Sequence, residues 1–228
     1  MVMMENLPEG VKITKQITPY DRRCHDAVGA LYKAGNEIVT PTQIYRAMGR
    51  KGSPSRTEAK KINDSLTKMR AALLYIDSSK EAAVYQSKTI FHYDGNLLPF
   101  ERVTATVNGR KTDSAIHIFR EPPLIDFARK RGQITTLDIS IRATPLRLTE
   151  SHIRIEDYLA EQISHMRNNK KFSRKITLEK LFDKCKIKTK KQRFDTKAAI
   201  KELMDYWKTI GFIGKKTKLE EDCISIDT

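Results

Sequence analysis

The chain has 228 residues, with 43 Lys and Arg against 28 Asp and Glu, a net charge of +15 and a pI near 9.7. That length suits one large domain or two of about 100 residues each, and the basic excess points to an anionic partner, most often nucleic acid. No apolar run reaches the length that crosses a bilayer, segment 1–16 with Glu5 and Glu9 is unlike a secretory leader, and Cys24, Cys185 and Cys223 lack CxxC spacing, which suits reduced thiols in a cytoplasm.

The first periodic stretch, 18–34, predicts a helix capped by Thr18 with Pro19 in its first turn and Tyr20, Cys24, Val28 and Leu31 on one face. Gly35 and Asn36 stop it. A short extended piece at 37–39 leads through Thr40 and Pro41 to a second helix carrying Ile44, Tyr45 and Met48, followed by the basic turn 49–55. A third helix is expected over 56–74, with Ala59, Ile62, Leu66, Met69 and Leu73 on its apolar face. In 80–98, the stretches AAVYQS and TIFHY read as an additional hairpin. Val103, Ala105 and Val107 alternate with period two, and Ile116 and Ile118 read as a returning strand. The expected connection is NGRKTDS, longer than a two-residue hairpin loop and carrying Arg110 and Lys111. Pro122 and Pro123 open a helix that Gly132 ends.

The series then restarts. Residues 150–168 predict a helix burying Ile153, Tyr158 or Leu159, Ile163 and Met166; Thr177 caps a short helix with Leu178, Leu181 and Phe182 inward. A helix is expected over 194–210, where Ile200, Leu203, Met204 and Trp207 form an amphipathic face, and 212–226 reads as a second hairpin with a charged tip. Helix, short helix, longer helix and hairpin is the order of a winged-helix module. The fold class expected is therefore α+β, mostly helical, with two tandem winged-helix domains. An arm at 1–16 precedes the first, at 17–133. A connector at 134–149 leads to the second, at 150–228, which carries the main DNA contact.

Between 167 and 193 stand Arg167, Lys170, Lys171, Arg174, Lys175, Lys180, Lys184, Lys186, Lys188, Lys190, Lys191 and Arg193, opposed only by Glu179 and Asp183. This run covers the parts of a helix-turn-helix that face phosphates and the major groove. Arg193 is suited to grip guanine and Gln192 to grip adenine through two parallel bonds, while Lys188, Lys190, Lys191, Lys197 and Lys201 hold phosphates. Lys175 is a backbone contact, and Lys215, Lys216 and Lys218 are expected at the hairpin tip. The plain alternative is a solvated basic face on a helical domain. The first unit mixes its charges more evenly; Arg50, Lys51, Arg110 and Lys111 are auxiliary phosphate candidates there.

The five histidines make no HxH, HxxxH or HExxH pattern, so neither a metal site nor a cofactor is expected. Glu161 and His165 read as a surface pair, and Trp207 as packing. Tyr45, Tyr85 and Tyr93 lack the His pair or Arg-His-Arg set that would activate a tyrosine nucleophile, and Asp94, Glu101 and Asp113 form no two-metal pattern. No enzymatic activity is expected.

The stretches VTATVNG…SAIHIF (103–119), PPLIDFARKRGQITTL (122–137), RLTESHIRIEDYLAEQI (147–163) and KKQRFDTKAAIKELMDYWKTIGFIGKKTKLEEDCISI (190–226) resemble the initiator proteins of iteron-containing plasmids. The opening ITPYDRRCHDAVGALYKAGNEIVTPTQIYRAM also looks like replication proteins of mobile elements of Gram-positive and gut bacteria. The resemblance implies two winged-helix domains that bind repeated double-stranded origin sites without chemistry on the DNA. On that likeness Lys190, Gln192, Arg193 and Lys197 become the readers, and Lys215, Lys216 and Lys218 belong to the wing. It also implies a homodimer that represses its own gene, and a monomer that acts with the host initiator and helicase. The chain departs from the pattern in having no leucine heptads before the first module. A winged-helix transcriptional regulator, an origin nickase or nuclease, and a protein-binding scaffold are the competing readings.

Overall fold

A computed structural model describes residues 10–84, 90–107, 109–132, 138–169 and 171–227. The chain divides into two units, Met1–Leu137 and Asp138–Thr228. About half of it is helical, with small antiparallel sheets, so the fold is α+β as the element pattern predicts.

In the first unit, α1 (Pro19–Lys33) starts at a capping box in which Thr18 Oγ1 accepts from Asp21 N and the Asp21 carboxylate accepts from Thr18 N. The strand β2 (Ile38–Val39) leads to α2 (Pro41–Ala47), which Thr40 and Gln43 cap in the same way, and α3 (Arg56–Arg70) follows behind Ser55 and Glu58. Cys24, Val28, Ile44, Met48, Ile62, Leu66 and Met69 bury themselves where these three helices meet. Gly29 lies under the later helix α5 (Pro123–Lys130): a Cβ there would come within 2.2 Å of the Ile125 side chain, so the bare backbone permits close packing.

Four findings differ from the sequence expectation. Val11–Ile13 lies inside the expected arm yet forms strand β1, paired with β3 (Leu73–Asp77) by a register that sets Val11 against Ile76. The third helix stops at Arg70, because 73–77 alternates: Leu74 and Ile76 are buried while Leu73, Tyr75 and Asp77 face out. Within 80–98, Ser79–Val84 is a short helix, α4, rather than a strand, while β4 (His92–Asn96) pairs with β3; residues 85–89 lie outside the described residues. The long connection is also absent. The strand β5 (Phe100–Val107) pairs Val107 with Arg110, the first residue of β6 (Arg110–Ile118), and Gly109 takes φ +75°, the left-handed conformation a tight turn requires. The sheets run β1-β3-β4 and β2-β6-β5.

The buried Asp21 carboxylate receives Lys68 Nζ at 2.6 Å and the Thr18 backbone N at 2.9 Å. Burial alone would push this carboxyl up, but the Lys68 and Thr18 donors outweigh it and hold the group below its ordinary value. A native value below the unfolded one, about 3.9, gives stability that is present above that pH and lost as pH falls through the folded value. Asp21→Asn is therefore expected to cost about 2 kcal/mol at neutral pH and to flatten the acid limb of a midpoint-against-pH curve. An unchanged acid limb would contradict this linkage.

The second unit begins with α6 (Ile139–Arg142), behind an Asp138 cap, within the stretch expected to be connector. Ile141 O accepts from Trp207 Nε1 at 2.9 Å, Ser140 O accepts from Tyr206 Oη at 2.7 Å, and Thr144 Oγ1 donates to Glu156 Oε2 at 3.0 Å. These bonds make residues 138–146 part of the unit; residues 133–137 lie outside the described residues. The remaining elements are α7 (Glu150–Asn168), β7 (Lys175–Thr177), α8 (Leu178–Lys184), α9 (Lys190–Thr209), β8 (Lys218–Leu219) and β9 (Cys223–Ser225). Ile153, Leu159, Ile163 and Met166 of α7 meet Ile200, Leu203, Met204 and Trp207 of α9 in the core. The three strands pair in the order β7-β9-β8. No helix among the described residues is long and apolar enough to cross a membrane.

Candidate nucleic-acid interface

The loop from α8 to α9 alternates in a way the local sequence explains. Cys185 and Ile187 are buried anchors, which turns Lys186 and Lys188 to solvent; Lys186 takes φ +60° to make the bend. The third helix starts at Lys190, four residues before the sequence expectation, because Thr189 caps it. Thr189 Oγ1 accepts from Gln192 N at 3.2 Å, and Gln192 Oε1 accepts from Thr189 N and Lys188 N at 3.0 Å. A first turn reading Lys190, Lys191, Gln192, Arg193 is thus part of the helix. Lys190, Lys191 and Lys201 are exposed on it.

Two expected base readers are engaged within the protein. Gln192 spends its carbonyl oxygen on the cap, which removes the acceptor that a two-bond grip on adenine needs. Arg193 lays its fork on Glu179, with Nη1 to Oε1 at 2.8 Å and Nη2 to Oε2 at 3.2 Å, and covers the Phe182 ring at 5.0 Å, so it ties α9 to α8. Lys197 likewise donates to Glu221 O at 3.0 Å and holds the hairpin against the helix.

The hairpin tip reverses the expected charge. Lys218 begins β8, Lys215 and Lys216 precede it in a turn braced by Asp227, and the connection between β8 and β9 is Glu220, Glu221 and Asp222. The lysines sit at the base and the acids at the tip.

Register supplies a pairing that spacing hides. Lys175 and Lys218 both stand opposite Ser225, one from each neighbouring strand, so the three residues form one row across the sheet. Both lysines are exposed, while the next row, Ile176, Ile224 and Leu219, turns inward. The ammonium stems therefore leave one face, about 10 Å apart at their bases.

In the first unit Lys51 is exposed, and Arg50 lies beside Glu58, whose carboxylate its charge helps keep ionised after the Ser55 donors. Arg110 and Lys111 open β6, and their side chains lie outside the described residues, as do Tyr85 and Lys170. Tyr45 Oη donates to Glu58 Oε1 at 2.9 Å; burial and this bond raise its pKa, which keeps the phenol protonated. Tyr93 Oη donates to Asn96 O at 2.7 Å. Burial pushes the Cys24 and Cys185 thiols up to about 12, and all three cysteines are free. Among the described residues no three His, Cys, Asp or Glu side chains are grouped to hold a metal ion.

Taken as a class, this is an α+β chain of two units, each with helices against small antiparallel sheets, the second with a cationic helix start. No family model matches it, and no curated protein does. A crystal structure of domains 2 and 3 of RctB is similar in fold, with a TM-score of 0.52 at 15% identity over 96% of this chain and 86% of that one. A second structure of the same two domains aligns with a TM-score of 0.48 at 12% identity, over the same shares.

Proposed function

We propose that the chain is a non-enzymatic, sequence-specific double-stranded DNA-binding protein that initiates replication of a plasmid or mobile element at repeated origin sites. Its two units act as winged-helix modules, the second making the main DNA contact and the first serving dimerisation and auxiliary contact. The observation that carries this reading is the start of α9. Lys190 and Lys191 project from its first turn, Lys188 from the loop before it and Lys201 from the same helix further on, while Lys175 and Lys218 share the outer face of the neighbouring sheet. A helix start framed by cations at several levels fits a duplex, whose phosphates flank the groove the helix enters.

The fold likeness to domains 2 and 3 of RctB, a replication initiator of Vibrio chromosome II, supports the initiator role. Repression of its own gene by a dimer, and assembly with the host initiator and helicase, belong to the same proposal. The engaged phenols of Tyr45 and Tyr93 favour binding over strand cleavage.

The experiment is duplex binding by the full chain at rising salt. Neutralisation of about six phosphates gives a log–log slope of about −5. A flat dependence would remove the electrostatic footprint, and with it the DNA-binding reading.

A further inference from the structure

The face of α9 turned away from the core carries Lys190, Lys191, Phe194, Asp195, Ala198 and Lys201, opposite the buried Ile200, Leu203 and Trp207. Phe194 is 75% exposed, the most of any large apolar side chain among the described residues. Its ring takes no part in the aromatic pairs described for the second unit, His165 with Phe172 and Trp207 with Phe212. Ala198 lies one turn further along the same face.

The flanking polar groups sharpen the point. Gln192 Oε1 is held in the cap and the Arg193 fork rests on Glu179. Between Lys191 and Lys201 the outward surface therefore offers a phenyl ring, a methyl and the Asp195 carboxylate. The surrounding ammonium groups of Lys190, Lys191 and Lys201 complement a polyanion rather than an apolar protein groove. Asp195, beside the ring, repels phosphate and turns this stretch toward base edges, where its oxygens can accept from cytosine. The apolar group that a major groove presents is the 5-methyl of thymine.

Resting on the DNA-binding reading above, we infer that Phe194 and Ala198 form a contact for the thymine 5-methyl group, so that this helix recognises thymine through its methyl. A two-bond grip on a purine is not the source of specificity at that step. Phe194 determines specificity while the surrounding lysines hold the backbone.

The test begins with a duplex selected by the full chain from a pool with a randomised core. Each thymidine of that duplex is then replaced in turn by deoxyuridine, which deletes the methyl and keeps the pairing. The expected result is a loss of about fourfold in wild-type affinity at one or two positions, the worth of one buried methyl-sized group. Phe194→Ala, at an exposed site the fold does not depend on, should bind the thymine and uracil duplexes alike and keep the wild-type salt slope, because it removes no charge. Uracil tolerated at every position overturns the inference, as does a Phe194→Ala protein that still discriminates. Either outcome leaves salt-dependent duplex binding, and so the DNA-binding reading, standing. Wild-type protein with no salt-dependent duplex binding removes both.

Discussion

Trp207→Ala is expected to remove a large part of the second unit's stability. The indole is fully buried, donates to Ile141 O at 2.9 Å and meets the Phe212 ring edge-on at 5.1 Å. It therefore fastens the start of the unit to the helix that carries the cationic turn. Truncating a buried tryptophan costs about 3–5 kcal/mol, a large share of a domain's whole stability of about 5–15 kcal/mol. Trp207→Phe keeps most of the apolar volume but leaves the buried Ile141 carbonyl without its donor, at about 1–2 kcal/mol. Urea unfolding followed by circular dichroism and amide exchange checks the order. Exchange protection in α7 and α9 should fall steeply in the alanine variant and modestly in the phenylalanine one. Undiminished protection in the alanine variant would show that this indole does not hold the unit together.

The double substitution Lys175→Ala/Lys218→Ala is expected to weaken duplex binding roughly a hundredfold at low salt, at about 1.5 kcal/mol for each charged hydrogen bond lost. The salt slope should become shallower by about 2, one unit per phosphate released. Both lysines are exposed and share one sheet face, so the fold should survive. All duplex sequences should lose alike, since phosphate contacts carry no base information. A full loss from either single variant, or a loss confined to one sequence, would separate the two side chains from a common backbone contact.

These two sites differ in how far the sequence reveals them. Trp207 sits at helical spacing from Ile200, Leu203 and Met204, so its burial follows from periodicity. Its bond to Ile141 does not, because a carbonyl 66 residues away leaves no local signature. The shared row of Lys175 and Lys218 is likewise hidden: each stands opposite Ser225, and β7 joins β9 from far away in the chain, which nothing in a lysine's neighbours reports. The expected helix over 56–74 extends past Arg70 because Leu73 satisfies a helical period as well as a strand one, and the alternation that follows decides for the strand. The start of α9 differs from the expected one for another reason. The Thr189–Gln192 capping box stands in the sequence, but four cationic or polar residues before the first apolar position read as a loop. The charge run itself was legible, whereas its limits were not. Gln192 and Arg193 are engaged at the surface by Thr189 and Glu179, and the expected lysine tip is acidic, because turn geometry fixes which residues of the hairpin reach furthest.

The first turn of α9 contains no acidic residue and opens with two lysines. Aligned peptide dipoles concentrate about half a positive charge at a helix N-terminus, and cations placed there are disfavoured by about 0.3–1 kcal/mol each. The free protein therefore keeps a frustrated corner, less stable than an acid-capped helix of equal length. A bound polyanion relieves that repulsion, so ligand affinity and the thermal resistance of the second unit are thermodynamically linked through the same few atoms.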